Sequence, residues 1–127
     1  MHWFSLGVAL LSAVAIIGIG VMYLFAPMTI MKSFGLPLPG EGANVAWWLR
    51  LKGSRDVVSG LVVFATVAWG KPRLLGIVLL ILALIPVGDM SLVLAAKGST
   101  KTAFGVHGLT AVIMILGAVP LLAGIAR

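Results

Sequence analysis

Cysteine is absent from this 127-residue chain, and acidic residues number three against nine lysines and arginines. Without thiols there are no disulfides, no thiolate metal sites and no thiol redox relays. Charged residues make up 9% of the sequence, far below the roughly 25% of an ordinary soluble domain. There is no internal repeat, no low-complexity tract and no Gly-rich dinucleotide or phosphate-loop motif. The composition is apolar instead: 61% of residues are hydrophobic and mean hydropathy is +1.21. A water-soluble fold cannot hide that much apolar surface, so the expected fold is all-α, a polytopic membrane protein. The length suits one domain, residues 1–127, an antiparallel four-transmembrane-helix bundle with short loops.

The net charge of +6 would suggest nucleic acid in a soluble protein. Here the basic residues fall near span ends or beside acids, as in membrane helices, and no nucleic-acid partner is expected. The lipid bilayer is the expected surrounding, and the localisation is membrane, multi-pass.

The first apolar run, residues 6–25, has no charge and the length of a span. No Lys or Arg precedes it and it exceeds a signal-peptide core of roughly 7 to 15 residues, so it reads as a retained span. Pro27 ends that helix or starts another. Residues 28–34 then suit a short interfacial or re-entrant helix, broken by Gly35-Leu36-Pro37-Leu38-Pro39-Gly40. Spans are also expected at residues 74–96, carrying Pro86 and Asp89, and at residues 103–126, carrying His107 and Pro120. Breaks at Gly70-Lys71-Pro72 and around Gly98 give short connections and hence antiparallel neighbours.

The remaining span is the informative one. Residues 50–56 hold four charges, fused to the apolar run of residues 57–69. That run reaches only about 20 Å, short of the ~30 Å hydrocarbon core. Measured from Trp48 to Trp69 the helix covers roughly 32 Å, with tryptophans at both ends where interfacial anchors belong. Arg55 and Asp56 then lie roughly 10 to 12 Å inside the membrane, Asp89 about 10 Å and His107 about 6 Å, all in one half of the bilayer. Ionisable groups at such depth are costly and usually mark function.

At about 100° per residue, Lys52, Arg55, Asp56 and Ser59 share one face. Arg50 points away but sits near the boundary, as an anchor first and a pocket residue second. The expected arrangement is a polar pocket enclosed by the bundle. Asp56 pairs with Lys52 one turn earlier, Arg55 reaches across to Asp89, and His107 exchanges a proton beside Asp89. Two cations against two carboxylates leave the cluster neutral, and Arg50 or a charged His107 tips it toward an anionic ligand. The competing expectation is a purely structural ion-pair network that fixes helix register.

The set Ala26-Pro27, Phe34-Gly35-Leu36-Pro37, Arg50-x-Lys52-Gly53-x-Arg55-Asp56-x-x-x-Gly60, Asp89 and His107 resembles a family of small four-helix integral membrane proteins of unknown function, DoxX-like in character. The resemblance covers nearly the whole chain. It implies the four-helix fold and marks Arg50, Lys52, Arg55, Asp56, Asp89 and His107 as site residues, without supplying a reaction.

As an enzyme, the protein is expected to act on a hydrophobic or anionic small molecule entering from the bilayer. Asp89 and His107, with Asp56, are the catalytic candidates, and Lys52, Arg55, Arg50 and Ser59 the substrate-binding ones. Isomerisation or cyclisation fits best, because neither needs a metal, nicotinamide or other cofactor. As a transporter, four short helices enclose too little alone, and a homo-oligomer is implied. An accessory subunit of a membrane complex is the third expectation.

Overall fold

The computed structural model describes residues 1–40 and 42–125. Every regular element among them is helical. Helix α1, Trp3–Phe25, takes up the first apolar run and stops at Ala26. Pro27 then opens α2, Pro27–Ile30, at the first-turn position where its missing N–H costs nothing. A 3₁₀ turn, Met31–Ser33, carries the chain to Phe34 and to Gly35, whose φ of +99° favours glycine. Helix α3 spans Val45–Trp69 and closes on Gly70 in the left-handed conformation. Helix α4, Pro72–Ala95, again begins with a proline in its first turn, which places its start two residues before the expected boundary.

The last helix, α5, Thr100–Leu122, starts three residues earlier than the apolar pattern suggests. The hydroxyl of Ser99 accepts a hydrogen bond from the Thr102 N–H at 3.2 Å and caps it. Its end falls at Leu122, short of the expected residue 126, which lies outside the described residues. Within α5, residues Ala103–Gly108 form a π-helical turn, a feature that apolar periodicity does not reveal.

Helices α1, α4 and α5 are long and apolar enough to cross a membrane, which fits a small membrane protein. Helix α3 is as long, at 25 residues, but carries Arg50, Lys52, Arg55 and Asp56.

Helix α1 packs chiefly on α3, and α4 chiefly on α5. The α1–α3 seam is made by small residues. A Cβ on Gly53 would come within 2.7 Å of the Gly20 carbonyl, and one on Gly60 within 2.8 Å of the Ala13 carbonyl. Glycine at these points lets two backbones approach directly, the contact that substitutes for a hydrophobic driving force inside lipid. The pairings 20 with 53 and 13 with 60 run the two helices antiparallel. Likewise Gly76 meets Leu121 and Leu122, and Gly108 meets Met90, so α4 and α5 are antiparallel.

These pairings divide the bundle into two halves. Where α3 ends and α4 begins, Ala9, Ala13, Val63, Leu75, Leu79, Ala83, Met114, Ala118 and Leu121 form a closed apolar cluster. The opposite half, where α1 ends and α3 begins, contains Lys52, Asp56, Asp89 and His107, whereas His2, Lys71 and Arg73 lie at the closed end.

Candidate functional site

A cavity of about 270 Å³ occupies the open half of the bundle, with walls from all four long helices and a roof from the segment after α1. Ser12, Ile16 and Ile19 of α1, Leu82 and Ile85 of α4 and Val106 of α5 make it mostly apolar. Tyr23, Lys52, Ser59, Asp89 and His107 supply the polar groups, with Phe34 among them. Of the residues expected from sequence to form the site, Lys52, Ser59, Asp89 and His107 therefore share one space.

Lys52 is held from three directions. Its ammonium pairs with the Asp56 carboxylate at 2.5 Å, one turn along α3. It also lies 4.4 Å from the centre of the Tyr23 ring and 5.2 Å from that of Phe34, both within cation–π range. Asp56 is only 6% exposed, so its charge is balanced locally by Lys52 in a region of low dielectric. Neither aromatic was singled out by sequence reasoning as a site residue. Tyr23 is the sole tyrosine of the chain, which was the available signal.

His107 sits inside the π turn and is 8% exposed. The extra residue in that turn shifts the helical phase and brings the imidazole against the roof. Its Nε2–H donates to the Phe34 carbonyl at 2.8 Å, while the two rings lie tilted at 48° to each other, 4.6 Å between centres. A carbonyl can only accept, so Nε2 carries a proton and Nδ1 is the nitrogen left to face Asp89. The separation from Nδ1 to the Asp89 carboxylate is 4.0 Å, an ion-pair distance rather than a hydrogen bond. Among the described residues no donor lies within hydrogen-bond distance of Asp89, and its carboxylate faces the cavity.

Arg55 departs from expectation. It is exposed on the outside of α3, and the pair expected with Asp89 is not made. The reason is the glycine seam: Gly53, Asp56, Gly60 and Val63 are the buried face, which turns Arg55 about 120° away from its centre. Arg50 also stands outside the cavity. Its Nε donates to the Leu24 carbonyl at 3.1 Å, satisfying a free acceptor at the end of α1, and its guanidinium lies 4.9 Å from the Trp47 ring. Ser59 keeps its place on the lining, with its hydroxyl donated to the Arg55 carbonyl of its own helix.

The polar end of the cavity thus holds one cation against two carboxylates. The expected bias toward an anionic ligand counted Arg55 into a neutral cluster and relied on Arg50 or a charged His107 for the excess; with both arginines outside the cavity, a charged His107 brings the count only to two against two. Among the described residues no three His, Cys, Asp or Glu side chains converge as a metal-binding group would require.

The sequence profile of a domain of unknown function, DUF4267, matches residues 13–122, from the middle of α1 to the end of α5. No curated protein and no solved structure matches the chain.

Proposed function

This chain belongs to the DUF4267 family, and from its own site we propose a multi-pass, DoxX-like membrane protein that takes a hydrophobic small molecule into a four-span bundle and exchanges a proton with it through Asp89 and His107. Helix α3 serves as the fourth span. Trp47 and Trp48 are exposed at one end and Trp69 at the other, about 32 Å along the axis, matching the two interfaces of a bilayer. Its charges are manageable at that depth: Lys52 is neutralised by Asp56, Arg50 is tied to the Leu24 carbonyl, and Arg55 can snorkel toward the headgroups.

The observation that carries the reading is the Asp89 carboxylate, facing a mostly apolar cavity with no donor among the described residues and with Nδ1 of His107 aimed at it. A bare carboxylate in such a place wants a hydrogen-bond donor, so the ligand's polar group is a hydroxyl or amine rather than an anion. Held between the two groups, a substrate can lose a proton to the Asp89 carboxylate and regain one from Nδ1 of a doubly protonated His107; the proton passed back from Asp89 to Nδ1 then restores the starting state. That is the requirement of an isomerisation or cyclisation. Asp56 is assigned to holding Lys52 in place rather than to the proton transfers.

A second reading, proton-coupled transport, uses the same residues. The closed apolar cluster blocks the far half of one bundle, so a complete pathway requires a homo-oligomer.

The first test is binding in lipid nanodiscs, read as a shift in melting temperature with hexanol, hexylamine and hexanoate. The alcohol or the amine raises the melting temperature of the wild type and not of Asp89→Asn, and hexanoate does neither. Equal response of Asp89→Asn and wild type, or stabilisation by hexanoate alone, overturns the reading.

A further inference from the structure

A second cavity, of about 440 Å³, lies beneath the segment of residues 36–40. It shares Tyr23, Phe34, Lys52 and Asp89 with the inner cavity, so the two chambers meet at the same four side chains. Beyond that junction the outer chamber changes character. Leu36, Pro37, Leu38, Pro39, Leu49 and Leu92 line it, and none of these side chains carries a polar atom.

From this continuity we infer that the outer chamber houses the long apolar tail of the ligand whose polar group is read by Asp89. The ligand class is a lipophilic alcohol or amine with an extended chain, drawn from the bilayer. This rests on the binding role of Asp89 proposed above.

The chamber lies where such a molecule enters. Leu49 stands on α3 and Leu92 on α4, a pair that packs far less closely than α1 with α3 or α4 with α5. Leu92 and Leu38 are well exposed, at 63% and 59%, so the chamber opens at the bundle's outer surface. The covering segment is tied at its start, where the Ser99 N–H donates to the Gly35 carbonyl at 2.8 Å next to the bond from His107 to the Phe34 carbonyl. From there residues 36–40 follow without helix, and Pro37 and Pro39 contribute no N–H that needs a partner. An alkyl chain under this strap meets the apolar side chains of Leu36, Pro37, Leu38 and Pro39.

The test uses the full chain in phosphatidylcholine nanodiscs and a dodecylamine carrying a diazirine at its chain end, with peptide mapping after illumination. Labelling is expected at residues 36–38, 49 or 92. It is lost in Leu49→Trp, which fills the chamber, and in Leu92→Trp, a second filler should the first disturb folding. Unlabelled hexylamine, short enough to lie within the inner cavity, still raises the melting temperature of both variants. Labelling confined to outward positions such as Leu84 and Leu116, or undiminished in both tryptophan variants, overturns the tail chamber. Labelling at residues 36–38, 49 or 92 that persists unchanged in Asp89→Asn upholds the chamber and overturns the headgroup role of Asp89 instead.

Discussion

His107 donates its Nε2 proton to the backbone carbonyl of Phe34 across 2.8 Å, joining residues 73 positions apart in sequence. One bond does two things. It holds the roof segment onto α5, and it fixes which imidazole nitrogen faces Asp89.

The two roles separate under substitution. In His107→Gln the side-chain amide can still donate to the Phe34 carbonyl, so folding stability stays within about 1 kcal/mol of wild type while proton exchange with a ligand is lost. His107→Asn is too short to reach the carbonyl and loses about 1 to 2 kcal/mol, with faster hydrogen exchange in the roof segment. Detergent-phase unfolding and amide exchange measure both. Equal stability of the two variants would remove the roof contact from the account.

Lys52 and Asp56 form a pair whose members depend on each other. Lys52→Met leaves a carboxylate that is only 6% exposed without its cation, and the expected loss is about 3 kcal/mol. Adding Asp56→Leu removes the stranded charge and restores most of that stability, because two apolar side chains carry no desolvation cost. A double-mutant cycle followed by unfolding in mixed micelles gives the coupling directly. Additive losses would mean that the pair contributes nothing as a pair.

The sequence made parts of this site legible and hid others, for physical reasons. Depth counting puts Arg55, Asp56, Asp89 and His107 in one half of the bundle and helical spacing adds Lys52, because rise per residue in a helix is nearly constant; of these, Lys52, Asp89 and His107 do line one cavity. Rotation about the axis was less secure. Lys52, Arg55, Asp56 and Ser59 fall on one arc by spacing, yet the facing direction is set by where α1 can approach, and that is decided by Gly53 and Gly60. Arg55 was lost from the pocket on that account. Phe34 was hidden because it depends on a turn after Pro27 that returns the chain into the bundle, and His107 owes its final position to a π turn with no periodic signature.

The glycines of the α1–α3 seam make a contrasting set. Gly53→Ala places a methyl group against the Gly20 carbonyl and should cost about 2 to 3 kcal/mol. Gly18→Ala, at a helical position with nothing within 4 Å, should be neutral or stabilising by up to about 1 kcal/mol. Thermal unfolding of the two variants side by side checks the seam, and a Gly53→Ala protein as stable as Gly18→Ala would show that the two helices are farther apart.

Whether α3 crosses the bilayer decides the depth of the site, and the absence of cysteine makes the question easy to ask. Asn44 precedes α3 and Lys71 follows it, and both are exposed. Introduced singly, Asn44→Cys and Lys71→Cys are the only thiols in their proteins. If α3 spans, a membrane-impermeant maleimide applied to sealed vesicles labels one of them from outside and the other only after permeabilisation. If α3 lies on or dips into one leaflet, both cysteines react from the same side. The energetic case for spanning turns on Arg55, whose outward position in hydrocarbon costs about 2.5 to 3.5 kcal/mol by insertion scales unless its side chain reaches the headgroups. Arg55→Leu should therefore improve insertion of α3 by no more than that amount, leave the Lys52–Asp56 pair intact, and leave ligand binding at Asp89 unchanged. An Arg55→Leu protein that folds but no longer binds would return the arginine to the pocket from which its exposure removes it.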